Sequence, residues 1–158
     1  LVPNDVQPLP VVLYVDDDAG NRQAFQAAFR RHFVVRAASG FDEAWAWLGR
    51  GGVDVVISDQ RMPDVTGSEL LHLVKERFPM IKRMLMTGYA DVSAVIDAVN
   101  RGGVVRYISK PWDPKEVIDA VDEAFAAVRR EREQLAWTEQ LVESNRQLEF
   151  ALRQRLLS

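Results

Sequence analysis

Cysteine is missing altogether, which removes disulfides, thiolate metal sites and a cysteine nucleophile. Histidine is nearly as scarce: His32 and His72 stand far apart, so a histidine-built metal site has nothing to draw on. No apolar run approaches the ~18–20 residues of a membrane span, and the amino-terminal stretch lacks a charged region followed by an apolar one. The phosphate-cradling G-x-x-x-x-G-K and dinucleotide-binding G-x-G-x-x-G patterns do not occur. A net charge of −3 gives no general pull toward nucleic acid or anionic membrane. These absences point to a soluble, cytoplasmic protein with no membrane contact and no direct nucleic acid binding. What is present is enough for one core: 158 residues, 47% of them hydrophobic. The chain opens on Leu1 and stops inside a helical pattern, so a fragment of something longer is expected.

The stretch that organises the rest is 53–67. Val55, Val56 and Ile57 form a β-branched apolar run that ends in Ser58 and Asp59, and Pro63 and Gly67 then turn the chain into a helix near Ser68. A short, continuously apolar strand is what a parallel sheet covered on both faces requires. Similar strands are expected at 11–15, 33–37, 81–86 and 104–108, with Lys82 and Arg83 suggesting that the fourth lies nearer a sheet edge. Helical spacing separates them: Phe25, Ala28, Phe29 and His32 within 19–32, then Phe41, Ala44, Trp45 and Leu48. Leu70, Leu71, Val74 and Phe78 follow, then Val92, Val95, Ile96 and Val99 within 91–101, expected to face inward. Five alternations of strand and helix predict an α/β fold with a doubly wound parallel sheet. The domain runs over 11–128, preceded by a poorly ordered proline-bearing lead-in at 1–10.

The strand ends carry the chemistry. The first delivers Asp16 and Asp17, the third Asp59, the fourth Thr87 and the fifth Lys110. Open α/β sheets place their sites at such carboxyl ends. Two carboxylates ~4 Å apart repel by ~4 kcal/mol at an effective dielectric near 20, and a hard divalent cation removes that repulsion. All-oxygen ligands suit Mg²⁺, with Mn²⁺ as the second choice. Asp16, Asp17 and Asp59 would hold the metal, and Asp59 would be the nucleophile toward a phosphoryl group. Thr87 and Lys110 would each engage a phosphoryl oxygen. Such chemistry needs little beyond positioning and charge neutralisation.

Four pieces in order, Val15, Asp16 and Asp17; Ile57, Ser58 and Asp59 with Met62, Pro63 and Gly67; Met86, Thr87 and Gly88; and Tyr107 to Pro111, resemble the receiver domain of two-component response regulators over 11–128. The stretches around Gln60, Tyr89 and Trp112 look closest to receivers that precede HD-GYP phosphodiesterase or hydrogenase-type transcription-activator outputs. The resemblance implies a flavodoxin-like strand order 2-1-3-4-5 and Mg²⁺-dependent phosphorylation of Asp59 by a histidine kinase or phosphotransfer protein. It further implies metal coordination by the main-chain carbonyl of Arg61, a cis Lys110–Pro111 bond and a Thr87–Tyr107 switch controlling a downstream output. The chain would thus accept a phosphoryl group without being an enzyme beyond its own dephosphorylation. Arg61 and Tyr89, two residues beyond Asp59 and Thr87, would flank the phosphoryl group and lengthen its lifetime.

Blander readings stand beside these. An isolated acidic triplet is usually a solvated turn, and Asp18 is read as a solvated residue or helix cap. Tyr107 could be a half-buried packing residue as well as a switch. Trp45, Trp47, Trp112, His32 and Arg36 are given no chemistry, and Ser58 has no histidine to activate it. A haloacid-dehalogenase-type phosphatase would want a second acid where Arg61 stands. A degenerate receiver acting only as a dimerisation module is the alternative function, although neither the acidic pair, Asp59 nor Lys110 is lacking.

The last segment is a helical linker, 129–158. Asp113, Pro114 and Glu116 supply an N-cap, a first-turn proline and a capping-box acid. No glycine or proline follows from Lys115 to Ser158. Leu141, Asn145, Leu148 and Leu152 recur at heptad spacing, with Leu141 and Leu148 at d and Asn145 and Leu152 at a. A parallel coiled coil with a second copy is predicted, interrupted by a stutter near 134–138; a lone surface helix is the plainer alternative.

Overall fold

The computed structural model describes residues 8–88 and 92–157. Most of the lead-in, and Tyr89 with Asp91, lie outside the described residues. Strands β1 (Val11–Val15), β2 (Val34–Ala38), β3 (Val55–Asp59), β4 (Lys82–Thr87) and β5 (Arg106–Ser109) alternate with helices α1 (Ala19–Phe29), α2 (Phe41–Arg50), α3 (Gly67–Arg77), α4 (Val92–Gly102) and α5 (Pro114–Leu157). All strands pair in parallel in the order β2-β1-β3-β4-β5.

Strand alternation divides the core into two layers. Val12, Tyr14, Val55, Ile57, Met84, Met86 and Ile108 face α1 and α5, meeting Phe25, Phe29, Val117 and Val121. Leu13, Val15, Val56 and Leu85 face α2 to α4, meeting Leu48, Leu70, Leu71 and Val74. Every residue of β3 is buried, as a central strand covered on both sides demands.

Several expectations are corrected by the packing. The fourth strand lies beside the edge strand β5, as expected, but its charges do not both face solvent. Arg83 is only 8% exposed, and its charge is accommodated by main-chain carbonyls. Its guanidinium donates to Gly102 at 2.8 Å, Ile81 at 2.7 Å, Gly103 at 3.2 Å and Pro79 at 3.3 Å. Burial pushes its pKa down, and the charge of Glu131 pulls it back. Lys82 instead pairs with Glu131 of α5 at 2.6 Å.

In α4 the expected inward stripe points out: Val92, Ile96 and Val99 are 64%, 57% and 51% exposed. Ala98 and Gly102 are buried instead, with Val95 half-buried. The cause is close packing on α3. Ala98 and Gly102 lie on the side of α4 turned to α3, and a Cβ added at Gly102 would make ordinary van der Waals contact with Leu71 Cβ at 3.4 Å. The first helix also stops at Phe29, short of His32, and both His32 and Ala28 within the helix are exposed.

Candidate functional site

Asp16 follows β1, Asp59 ends β3, and Lys110 follows β5. Alternation places all three on the face that packs against α1 and α5. Lys110 Nζ lies 2.6 Å from Asp59 Oδ1 and 3.9 Å from Asp16 Oδ2. One carboxylate oxygen each from Asp16, Asp17 and Asp59 falls within 4.8 Å of the others, Asp17 on the solvent side and the other two buried. This all-oxygen set, open on one side through Asp17, fits a hard divalent cation. Burial pushes the Asp59 carboxyl above the usual carboxylate range. The hydrogen bond and charge of Lys110 pull it back, and the charge of Asp16 pushes it up again.

Thr87 ends β4 on the opposite face and is buried. Its carbonyl accepts from the Lys110 amide at 2.9 Å, tying the two strand ends together. The register pairs Leu85 with Tyr107 and Thr87 with Ser109, so Thr87 and Tyr107 are diagonal neighbours on the α4 face. Tyr107 is 36% exposed. The Lys110–Pro111 peptide is cis. Arg61 lies exposed in the loop between β3 and α3.

That loop is braced by Gln60 and Thr66, which the sequence reading passed over, together with Gly67 and Ser68. Gln60 Oε1 accepts from the Ser68 amide at 2.9 Å, and the Gly67 amide donates to the Gln60 carbonyl at 3.0 Å. A Cβ at Gly67 would stand 2.2 Å from the Asp59 carbonyl oxygen, so only glycine permits this approach. Thr66 caps α3 through the Glu69 amide. Asp18 caps α1, its carboxylate accepting from the Asn21 amide at 2.9 Å.

Tyr14 was also missed, although a residue two positions before Asp16 on a strand must share its face. Its hydroxyl donates to Asp16 Oδ2 at 2.7 Å. Burial, then the hydrogen bond and charge of Asp16, raise its pKa far beyond the ordinary tyrosine range. Asn21 Nδ2 reaches the same oxygen at 3.1 Å, and Arg22 donates to the Asp16 carbonyl at 2.8 Å.

A family model, the response regulator receiver domain, matches residues 12–122. The hydrogenase transcriptional regulatory protein HoxA of Cupriavidus necator is 43% identical over 116 residues, which cover 73% of this chain and 24% of that protein. The DNA-binding transcriptional regulator NtrC of Proteus hauseri is 31% identical, over 77% of this chain and 26% of its own. The chain thus spans about a quarter of the length of these curated relatives. Among solved structures, the signal receiver domain of an HD domain-containing protein from Pseudomonas fluorescens superposes with a TM-score of 0.74 at 30% identity. That match covers 77% of this chain and 98% of the other. The order of strands, the residues at their ends and the matched model agree, and this chain belongs to the response regulator receiver domain family.

Proposed function

We propose that Asp59 accepts a phosphoryl group from a phosphohistidine of a histidine kinase or phosphotransfer protein. An Asp59 carboxylate oxygen attacks phosphorus, the O–P bond forms, the N–P bond breaks and the imidazole leaves. The observation that carries this reading is the 2.6 Å contact of Lys110 with Asp59 beside the carboxylates of Asp16 and Asp17. Asp16, Asp17, Asp59 and the main-chain carbonyl of Arg61 would hold Mg²⁺, which supplies charge neutralisation for the incoming phosphoryl oxygens. Lys110 and the Thr87 hydroxyl would engage two of those oxygens. Once Thr87 turns toward the phosphoryl group, Tyr107 beside it on the same sheet face has room to repack. That coupling is the proposed switch.

The output lies with the long helix. Beyond Val128, which is buried, α5 carries Leu141, Leu148 and Leu152 exposed. Most helical stability comes from packing such a stripe, and the occupant proposed for it is a second copy of the chain, in a parallel pair. A transcription-regulating output, as in the names of the relatives, is the proposed recipient of the signal.

Incubation with phosphoramidate or acetyl phosphate tests the acceptor role. The chain is expected to gain one phosphoryl mass, labile to base, only when Mg²⁺ is present. Equal labelling after treatment with a chelator would contradict it.

A further inference from the structure

The Tyr14 hydroxyl stands against the acidic cluster from inside the core. Its ring lies flat on Phe25, with centroids 4.1 Å apart and planes 1° from parallel. Phe25 is held in turn by Phe29 at 4.7 Å and by the edge of Trp112 at 6.2 Å. The phenol therefore has one place to go, between Asp16 Oδ2 at 2.7 Å and the Met86 sulfur at 4.0 Å. A carboxylate accepts far more strongly than a thioether, so the Tyr14 hydroxyl donates to Asp16.

Every side of Asp16 is engaged. Oδ2 accepts from Tyr14 and from Asn21 Nδ2 at 3.1 Å, while Oδ1 accepts from the Asp18 amide at 3.0 Å. The Asp16 carbonyl accepts from Arg22 at 2.8 Å. Lys110 Nζ, 3.9 Å from Oδ2, is bonded to Asp59 instead. Tyr14 is the donor among these that comes from the rigid core, and it fixes the torsion of the carboxylate. Asn21 is exposed on the first turn of α1.

We infer that Tyr14 is a positioning residue of the metal site: its hydroxyl locks the Asp16 carboxylate in the orientation that the divalent cation requires. This deepens the metal-dependent reading above and rests on it. Hydrogen bonding by an outer residue draws some charge from a carboxylate but removes its rotational freedom. Loss of such partners lowers metal affinity by about 10–100-fold in metal sites generally. For Tyr14 the lower end is expected, because Asn21 still holds the same oxygen.

The test is an Mg²⁺ titration of the full chain followed by two-dimensional amide NMR, reading the Asp18 and Gln60 resonances. Wild type, Tyr14→Phe and Asn21→Ala are compared. Tyr14→Phe keeps the ring that stacks on Phe25, and Asn21→Ala touches no core residue, so one variant at least reports if the other folds poorly. About ten-fold weaker Mg²⁺ binding is expected in Tyr14→Phe, with phosphorylation by phosphoramidate restored to the wild-type rate at saturating Mg²⁺. A merely structural role would lower thermal stability without moving the Mg²⁺ dissociation constant. Unchanged or tighter binding in Tyr14→Phe overturns the inference while the metal site stands. If wild type itself fails to bind Mg²⁺, the metal-dependent reading falls, and the inference with it.

Discussion

At the scale of single residues, burial governs the Asp59 carboxyl more than its partners do, and the consequence is a pH dependence of known sign. Its pKa in the folded chain is raised, so the stability it contributes is fully present below the unfolded pKa. That contribution is lost as pH rises through the folded value. At neutral pH the ionised carboxylate therefore weighs against the fold. Asp59→Asn is expected to melt higher than wild type at pH 7, with the difference fading as the pH falls toward about 4. Thermal melts across that range, without metal, check it; a variant that melts lower at pH 7 contradicts the reading. Mg²⁺ should raise the melting temperature of wild type and much less that of Asp59→Asn, because only a ligand that binds the folded state stabilises it. A second prediction concerns lifetime. Arg61, exposed beside Asp59, and Tyr89 are proposed to obstruct in-line approach of water, so Arg61→Ala with Tyr89→Ala should shorten the phosphoryl half-life several-fold. Decay followed by mass spectrometry decides it, and an unchanged half-life would remove both residues from that role.

At the scale of elements, legibility in the sequence depended on how many faces of an element are covered. The strand β3 was readable because both its faces are buried, so its sequence is apolar until it reaches Ser58 and Asp59 at its carboxyl end. Strand ends were readable because the acids, the threonine and the lysine interrupt apolar runs. The helix α4 was misread because it has apolar residues on two stripes. A period of 3.6 does not tell which of the two stripes packs on α3. The burial of Arg83 was not legible, because a charge within a strand normally faces solvent near an edge. Here the carbonyls at the end of α4 take the place of water. Gln60 and Asn21 were missed because their contribution is a hydrogen bond whose partner only the fold brings near, whereas the partner of Tyr14 stands two residues on along the chain and its shared face was legible. Arg83→Lys tests the buried guanidinium. A point charge with three donors cannot serve four carbonyls at once, and a loss of roughly 2–3 kcal/mol in denaturant unfolding is expected. A loss under ~0.5 kcal/mol, the usual range for surface sites, would show that water replaces the arginine.

At the scale of the whole molecule, α5 is the element that leaves the domain. Its 44 residues span ~66 Å at 1.5 Å per residue, and its buried positions end at Val128. Two ion pairs hold the next turn to the sheet: Arg132 with the buried Asp54 at 2.9 Å and Glu131 with Lys82 at 2.6 Å. Asp54 is fixed further by accepting from the Val11 amide at 2.8 Å. The helix therefore departs in a set direction, and a rotation within the domain would be carried along it. The heptad spacing of Leu141, Leu148 and Leu152 with Asn145 could be read from sequence, whereas the ion pairs could not, since they join residues remote along the chain. Light scattering at micromolar concentration is expected to give a dimer for the full chain. A monomer is expected for Leu141→Glu with Leu148→Glu. A monomeric wild type would contradict the paired helix.

The central claim is that Asp59, among several acids gathered at the strand ends, forms the acyl phosphate. Borohydride reduces an acyl phosphate to an alcohol, so the acceptor aspartate becomes homoserine and can be located by peptide mapping. After phosphoramidate and Mg²⁺, homoserine is predicted at position 59 alone, and in no peptide when Mg²⁺ is withheld. Homoserine at position 16 or 17, or at 59 regardless of metal, would contradict the account.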